Sequence, residues 1–192
     1  MPRHKEFDEQ SALDRALETF WSGSFAATST EALCASTGLS RSSLYNTFSC
    51  KSDLYRRSLQ RYDQVKAAER NDYLDRPGTG REVLTALLAD VLGLQCDDPD
   101  RRSCMAINAA VEIGDNDPQV AALSRASFDG FQEMLATLIA RGQDDGSITS
   151  TVPAAELATV VHTTLIGLQV RARVSTDPAN LTKALHTLLS LI

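Results

Sequence analysis

The fold is decided by residues 24–51, which read SFAATSTEALCASTGLSRSSLYNTFSCK. The stretch fits two short helices, and Thr28 or Ser29 is suited to cap the first of them. Gly38 ends that helix, because glycine readily adopts the left-handed conformation that a sharp turn requires. Ser40 then caps the second helix. This pattern predicts a helix-turn-helix.

The second helix of such a motif presents its outer face to a DNA groove. Here that face carries small or hydrogen-bonding side chains and one guanidinium, from Arg41, Ser42, Ser43, Tyr45 and Asn46. Groups of this kind suit the donors and acceptors of base edges and phosphates. The alternative is an ordinary helical hairpin within a core, because the same geometry occurs in proteins that bind no DNA.

Charge is distributed unevenly along the chain. A net charge of −6 over 192 residues argues against a protein that coats nucleic acid with its whole surface. Residues 1–70 have a balance of +1, whereas residues 71–192 have a balance of −7. Within residues 20–61, five basic groups outnumber two acidic ones. We therefore expect DNA contact to be confined to the helix-turn-helix.

Basic groups flank the motif on both sides. Lys51 lies in the first turn of the next predicted helix, where a positive charge opposes the helix dipole. That cost is explained if Lys51 and the free backbone N–H groups together hold a DNA phosphate, and the alternative is a surface lysine without a role. Ahead of the first helix, Arg3 and Lys5 form a short basic arm that is a minor candidate for a DNA contact.

The rest of the chain is predicted to be helical, since apolar residues recur at i, i+3, i+4 and i+7 and no strand pattern occurs. About nine helices make an all-α protein, with the last two beginning at Pro153 and Pro178. Turn-forming residues at 75–80 mark a domain boundary. We expect a helix-turn-helix DNA-binding domain over 1–50, a connecting fourth helix over 51–74, and a ligand-binding and dimerisation domain over 75–192.

Composition and motif content exclude several classes of protein. No apolar run approaches the ~20 residues of a membrane span, and the N-terminus lacks the apolar segment of a signal peptide, so a cytoplasmic protein is expected. Four cysteines show no zinc-ligand spacing, and we expect neither a metal nor a cofactor. An enzyme is not expected either, because no nucleophile elbow, phosphate loop or paired carboxylates are present.

The last two predicted helices form the expected homodimer surface, because each has more apolar positions than one packing stripe requires. Gly167 permits close approach of a neighbouring helix. The candidate interface residues are Leu165, Gly167, Leu168, Leu181, Leu185 and Leu188. The alternative is that they all pack within one chain. A dimer would place two recognition helices about 34 Å apart, which suits a palindromic DNA site.

The motif residues resemble those of the TetR family of transcriptional repressors. The matching positions are Phe25, Thr28, Ser29, Gly38, Leu39, Ser40, Leu44, Tyr45, Phe48, Lys51 and Leu54. They fall on the family pattern without a gap over residues 7–60, and beyond residue 75 the similarity is in helix number, order and length.

The resemblance implies a dimer that occupies an operator and releases it when a small molecule enters the C-terminal domain. Carried over by position, Thr28 and Ser29 bind phosphate, residues 40–43 meet bases and phosphates, and Tyr45 and Lys51 bind phosphate. Three positions depart from the family. Ser24 replaces a usual Gly, Thr47 replaces a usual His or Tyr, and Cys50 stands where Ser or Asn is common.

Effectors of the family bind among helices 4 to 8, so polar groups on apolar faces there are the candidate ligand contacts. Asn108 and Glu112 are the first choice, and a buried Glu112 would favour a cationic or hydrogen-bond-donating ligand. The candidate pocket wall is Tyr62, Met105, Phe128, Phe131 and His162. The alternatives are that Asn108 caps a helix, that the phenylalanines are core and that His162 belongs to the dimer surface.

Two other interpretations stay open. The chain fits a helical ligand-binding or adaptor protein that has lost operator binding. Cys50, beside Lys51 at a helix N-terminus, has a setting that lowers a thiol pKa and suits redox sensing, although simple replacement of a serine also explains it. Neither the effector nor the operator sequence follows from the residues alone.

Overall fold

The computed structural model describes residues 8–100 and 102–192, and this part of the chain contains nine α-helices and no β-strand. The all-α prediction is confirmed. The helices are α1 (Glu9–Gly23), α2 (Thr30–Thr37), α3 (Arg41–Phe48), α4 (Lys51–Leu74), α5 (Gly80–Asp97), α6 (Met105–Ile113), α7 (Pro118–Asp144), α8 (Ala154–Ala172) and α9 (Pro178–Ser190). The basic arm of Arg3 and Lys5 lies outside the described residues.

Local capping produces the helix-turn-helix. The Ser29 side chain accepts a hydrogen bond from Ala32 N at the start of α2, and the Ser40 side chain accepts one from Ser43 N at the start of α3. Gly38 ends α2 with φ of 73°, the left-handed conformation that its position in the sequence predicts. These caps satisfy backbone donors that a short helix leaves free.

A first apolar core joins the helix-turn-helix to α1, α4 and α6. Its fully buried side chains include Phe20, Leu33, Leu44, Phe48 and Tyr55. The N-terminal half of α6 belongs to the same core through Met105, Ala106 and Ala109. The DNA-binding motif therefore packs directly on a helix of the C-terminal region, and the boundary between the two cores does not follow the predicted domain boundary at residue 75, which stays a prediction.

A second core is formed by α5, α7, α8 and α9, and it corrects most of the predicted dimer surface. Leu165, Leu168, Leu181, Leu185 and Leu188 are buried within this one chain. The apolar stripe of α8 faces α5 and α7 of the same chain, and that of α9 faces α5 and α8, so these five leucines present no surface to a partner. Of the six candidates, Gly167 is exposed.

The exposed face of α8 has a heptad-like spacing. Val160, Thr163, Gly167 and Val170 lie on α8, Val174 follows in the turn after the helix, and the five are spaced at alternating intervals of three and four residues; all are exposed. Two of these valines, Val160 and Val174, are 54% and 80% exposed. This stripe, rather than the buried leucines, is the surface that α8 offers. Among the described residues, no helix is long and apolar enough to cross a bilayer.

Candidate DNA-binding surface and ligand cavity

The outer face of α3 is accessible, and its side chains are held by local hydrogen bonds. Arg41, Ser42 and Asn46 are exposed, and Tyr45 is half-buried. The Tyr45 hydroxyl lies 2.7 Å from Thr30 Oγ1, which fixes α3 against the start of α2. The structure thus brings the predicted base-reading residues together on one surface.

Serine hydroxyls surround the N-terminus of α3. Ser40 Oγ lies 3.0 Å from Ser42 Oγ and 2.9 Å from Ser43 Oγ. Hydroxyls and free backbone N–H groups at a helix start suit a phosphate oxygen. The predicted contacts of residues 40–43 are therefore compatible with the geometry.

The two predicted phosphate contacts at the start of α2 differ in exposure. Ser29 is exposed, whereas Thr28 is only 4% exposed. Thr28 Oγ1 donates to the Ser24 carbonyl oxygen over 2.7 Å, so its hydroxyl points into the protein. Of this pair, Ser29 is the residue with the exposed side chain.

Ion pairs neutralise three of the five basic side chains within residues 20–61. Arg56 forms three hydrogen bonds of 2.8–3.3 Å with the Asp117 carboxylate. Arg57 pairs with Glu9 and Arg61 pairs with Asp14, at 2.6 and 2.8 Å. These acidic partners lie outside residues 20–61, so a count of charges within that segment does not reveal them.

Arg41 and Lys51 are the two cations of residues 20–61 that form no salt bridge with a described carboxylate. Lys51 Nζ lies 4.6 Å from the centroid of the Phe25 ring, which holds the ammonium group beside the loop before α2. The positive surface near α3 is consequently small, and it coincides with two of the predicted DNA contacts.

The loop between α1 and α2 is strained and is held from outside the motif. Ser24 has φ of 126°, a conformation that glycine adopts easily and other residues adopt at a cost. The backbone N–H groups of Phe25 and Ala26 donate to the two carboxylate oxygens of Glu112, over 2.9 and 2.8 Å. A single side chain of α6 thus fixes the segment that leads into α2.

A cavity of about 530 Å³ lies among α1, α4, α5, α6, α7 and α8. Four of the predicted wall residues line it, namely Tyr62, Phe128, Phe131 and His162. The sequence did not single out Trp21, Arg70 and Gln95, which also line it. The basic residues of α4 resemble an ordinary solvated face, so the sequence carries no signal that Arg70 turns inward.

Three predicted ligand contacts are corrected, since they do not line the cavity. Met105 is 1% exposed and belongs to the first core. Asn108 Oδ1 accepts a 2.8 Å hydrogen bond from Arg173 Nη1 beside the end of α8. Glu112 holds the loop before α2. Helix α6 passes the cavity only at its start, so the polar residues further along it point elsewhere.

Aromatic rings form the inner wall of the cavity. The His162 ring centroid lies 5.0 Å from that of Phe131 and 6.0 Å from that of Phe128. Burial, with a smaller contribution from the nearby Arg70 charge, lowers the pKa of His162 to about 4. Burial also raises the pKa of Tyr62 well above its ordinary value. Both side chains are neutral at pH 7.

Helix α6 contacts the DNA-binding region at both of its ends. At the start of α6, Trp21 Nε1 donates to the Ser103 carbonyl oxygen over 2.6 Å, and both residues line the cavity. Arg102 also pairs with Glu18 of α1 at 2.7 Å. At the other end, Glu112 holds the loop before α2. The cavity wall is therefore connected to the helix-turn-helix by one short helix.

The described residues give little support for redox sensing by Cys50 or for metal binding. Cys50 is a free, exposed thiol whose sulfur accepts from Asp53 N over 3.5 Å and caps α4. A serine in its place would have the same role, which favours the structural interpretation of Cys50. No group of three or more His, Cys, Asp or Glu side chains within 8–100 and 102–192 is arranged to hold a metal ion.

Two family profiles match the chain over most of its length. Residues 12–57 match the family described as bacterial regulatory proteins, tetR family. Residues 80–188 match the tetracyclin repressor-like C-terminal domain. The two matched segments correspond to the helix-turn-helix region and to α5 through most of α9.

Individual proteins are similar over nearly the whole chain. The uncharacterized HTH-type transcriptional regulator YezE of Bacillus subtilis is 26% identical over 193 residues, covering 100% of both chains. The HTH-type transcriptional repressor ComR of Escherichia coli is 24% identical, covering 98% of this chain and 90% of ComR. A cysteine-substituted CifR, a TetR family transcriptional regulator solved with 26-base-pair operator DNA, has a TM-score of 0.82 and 28% identity, with 98% of each chain covered.

Proposed function

The chain belongs to the TetR family of bacterial transcriptional regulators, and from this premise we propose that it is a homodimeric repressor released from a palindromic operator by a small molecule. As a member of this family it is a DNA-binding transcriptional regulator and not an enzyme. Similarity to ComR, named a repressor, and to the operator-bound CifR supports the repressor assignment.

The observation that carries the proposal is the pair of contacts that α6 makes with the DNA-binding region. An occupant of the cavity touches Trp21 and Ser103, which are joined by a 2.6 Å hydrogen bond at the start of α6. Displacement of α6 then moves Glu112, and with it the backbone of Phe25 and Ala26. Because packed elements shift as units, a small displacement at the cavity re-orients the helix-turn-helix.

The DNA contacts follow from the accessible groups of the motif. Ser29, Ser40, Tyr45 and Lys51 bind phosphates, and Thr30 holds the Tyr45 hydroxyl at the start of α2. Base edges are read by Arg41, Ser42, Ser43 and Asn46 in the major groove.

Dimerisation is proposed through the exposed stripe of α8, together with the neighbouring face of α9. Val160, Val170 and Val174 supply apolar area, and nothing lies within 4 Å of a Cβ added at Gly167. A partner copy packing there by two-fold symmetry forms a four-helix bundle and sets the distance between the two α3 helices. Binding to a chromosomal operator places the protein in the cytoplasm.

A gel-shift titration tests the proposal. Labelled duplexes that cover the DNA beside the protein's own gene are titrated with the dimer at low salt and then at rising salt. We expect one duplex to be retained at nanomolar protein, with weaker retention as salt rises. Absence of any shift at low salt favours the alternative, a helical ligand-binding or adaptor protein without operator binding.

A further inference from the structure

Arg70 occupies an unusual place in the cavity wall. Its side chain is 17% exposed, and its guanidinium carbon lies 5.4 Å from the centroid of the Phe131 ring. Within the described part of the chain, its hydrogen bonding consists of one long contact, from Nη2 to Asp63 Oδ1 at 3.4 Å. A guanidinium has five N–H donors in a planar fork, so most of the donor capacity of Arg70 is unused.

The other cations at the cavity differ from Arg70 in pairing or in exposure. Lys66 pairs with Glu69 at 2.8 Å. Arg102 pairs with Asp98 and Glu18 at 2.8 and 2.7 Å. These pairs also occupy two of the carboxylates that line the cavity, Glu69 and Asp98.

Arg76 is not a comparable site, because its side chain is 44% exposed and therefore hydrated. Its guanidinium carbon also lies 3.6 Å from the Tyr73 ring centroid. Among the four cations that line the cavity, Arg70 has the least exposed side chain. Its ion pair with Asp63, at 3.4 Å, is longer than those of Lys66 and Arg102, at 2.8 and 2.7 Å. A largely buried cation with unused donors is stabilised by an anion that brings its own acceptors.

The surroundings of Arg70 define what else an occupant must be. Phe131, Phe128 and His162 form an aromatic wall beside the guanidinium, and His162 is neutral at pH 7. On the far side, Trp21 and Tyr62 pack edge to face with ring centroids 5.2 Å apart. The lining of this cavity of about 530 Å³ also contains the paired cations Lys66, Arg76 and Arg102 and the carboxylates of Glu69, Asp72, Asp90 and Asp98. An occupant beside the aromatic wall therefore meets one largely buried guanidinium whose donors are mostly unused.

We propose that the effector is an aromatic or otherwise apolar organic anion whose carboxylate or similar acidic group is bound by the Arg70 guanidinium. Its apolar body lies against Phe128, Phe131 and Trp21. The proposal rests on the proposed function insofar as it takes this cavity to be the effector site. It replaces the expectation of a cationic ligand, because Glu112 lies outside the cavity.

Two dyes that differ only in an acidic group test the proposal without DNA. The anion 1-anilinonaphthalene-8-sulfonate and the neutral N-phenyl-1-naphthylamine share one ring system. Trp21 is the single tryptophan of the chain and lines the cavity, so energy transfer from Trp21 reports dye bound there. We expect the wild type to bind the sulfonate about 10- to 100-fold more tightly than the neutral dye.

Arg70→Gln should remove that preference and leave binding of the neutral dye within about 2-fold, which also shows that the cavity is intact. Arg70→Lys, which keeps the charge without the fork, should give an intermediate ratio. Arg76→Gln is the matched control, and it should leave the ratio unchanged. An unchanged ratio in Arg70→Gln, equal affinities in the wild type, or absence of energy transfer with either dye would overturn the anion site.

Failure of this inference is separable from failure of the proposed function. Equal affinity of the wild type for the two dyes, or a preference that Arg70→Gln leaves unchanged, refutes the anion site, and a normal gel shift beside it leaves the regulator. A retained, Arg70-dependent preference with no gel shift on any neighbouring promoter supports the anion site and refutes operator binding.

Discussion

Glu112 Oε2 accepts a 2.9 Å hydrogen bond from the backbone N–H of Phe25, and this contact joins the end of α6 to the loop that leads into the helix-turn-helix. The second carboxylate oxygen accepts from Ala26 N over 2.8 Å. The neighbouring Ser24 is held at φ of 126°. A single carboxylate therefore holds the path of a strained segment and joins α6 to the loop that leads into α2.

Glu112→Gln should lower operator affinity by about 5-fold or more, because an amide offers only one acceptor to the two N–H groups of Phe25 and Ala26. The measurement is fluorescence anisotropy with a labelled operator duplex. Glu133→Gln, an exposed position of α7, is the control and should bind like the wild type. Equal affinity for the Glu112 variant and the wild type would exclude Glu112 from the coupling.

The salt dependence of operator binding should depend on Lys51 and not on Arg57. Each phosphate contact contributes about 0.9 to the slope of log K against log salt, so Lys51→Gln in both protomers should make the slope shallower by about 2. Arg57→Gln should leave the slope unchanged, because Arg57 is paired with Glu9 at 2.6 Å. The opposite result would mean that the Glu9 ion pair opens when DNA binds.

Gly167→Arg should convert the dimer into a monomer at micromolar concentration, measured by light scattering after size exclusion. Nothing lies within 4 Å of a Cβ added at Gly167 or at Gly130, and both glycines are exposed within helices. Replacing a helical glycine also favours folding by a few tenths of a kcal/mol or more. Gly130→Arg should therefore remain a dimer, and a dimeric Gly167→Arg would place the interface elsewhere.

Acid should destabilise the protein through His162. Its pKa is about 4 in the folded state and 6.5 ordinarily, so the unfolded state takes up a proton first as the pH falls. The stability contributed by the neutral ring is complete above pH 6.5 and is lost progressively down to about pH 4. Between pH 7.5 and 5 the loss should be about 2 kcal/mol.

Urea unfolding at the two pH values, at one fixed protein concentration, measures this loss. His162→Phe keeps a ring beside Phe128 and Phe131 and removes the titrating group. The variant should therefore lose about 2 kcal/mol less than the wild type between those pH values. An identical loss in both proteins would assign the acid sensitivity to carboxylates instead.

The sequence predicts those features of the structure that depend on short stretches of chain. Gly38 and Ser40 act through neighbours within four residues, so their capping roles follow from the pattern alone, whereas the pattern allowed either Thr28 or Ser29 as the first cap and the structure has Ser29. The order of the helices also follows from the sequence. Each helix carries its own apolar period, and proline or glycine separates several of them.

Features that depend on contacts between distant segments did not follow from the sequence. The leucines of α8 and α9 form a clear stripe, but the pattern does not say whether the stripe meets its own chain or a partner; Leu165 and Leu185 lie in the core. Glu112 lies far along the sequence from Phe25, and Arg56 from Asp117, and only the folded chain brings each pair together.

Operator binding is tested by an anisotropy titration of the wild-type dimer and of Tyr45→Ala against duplexes from the promoters beside the gene. We expect one palindromic duplex to bind the wild type with a nanomolar dissociation constant, and Tyr45→Ala to weaken binding to every duplex without changing their order. Binding of no duplex at low salt, or equal binding by Tyr45→Ala, would contradict this expectation.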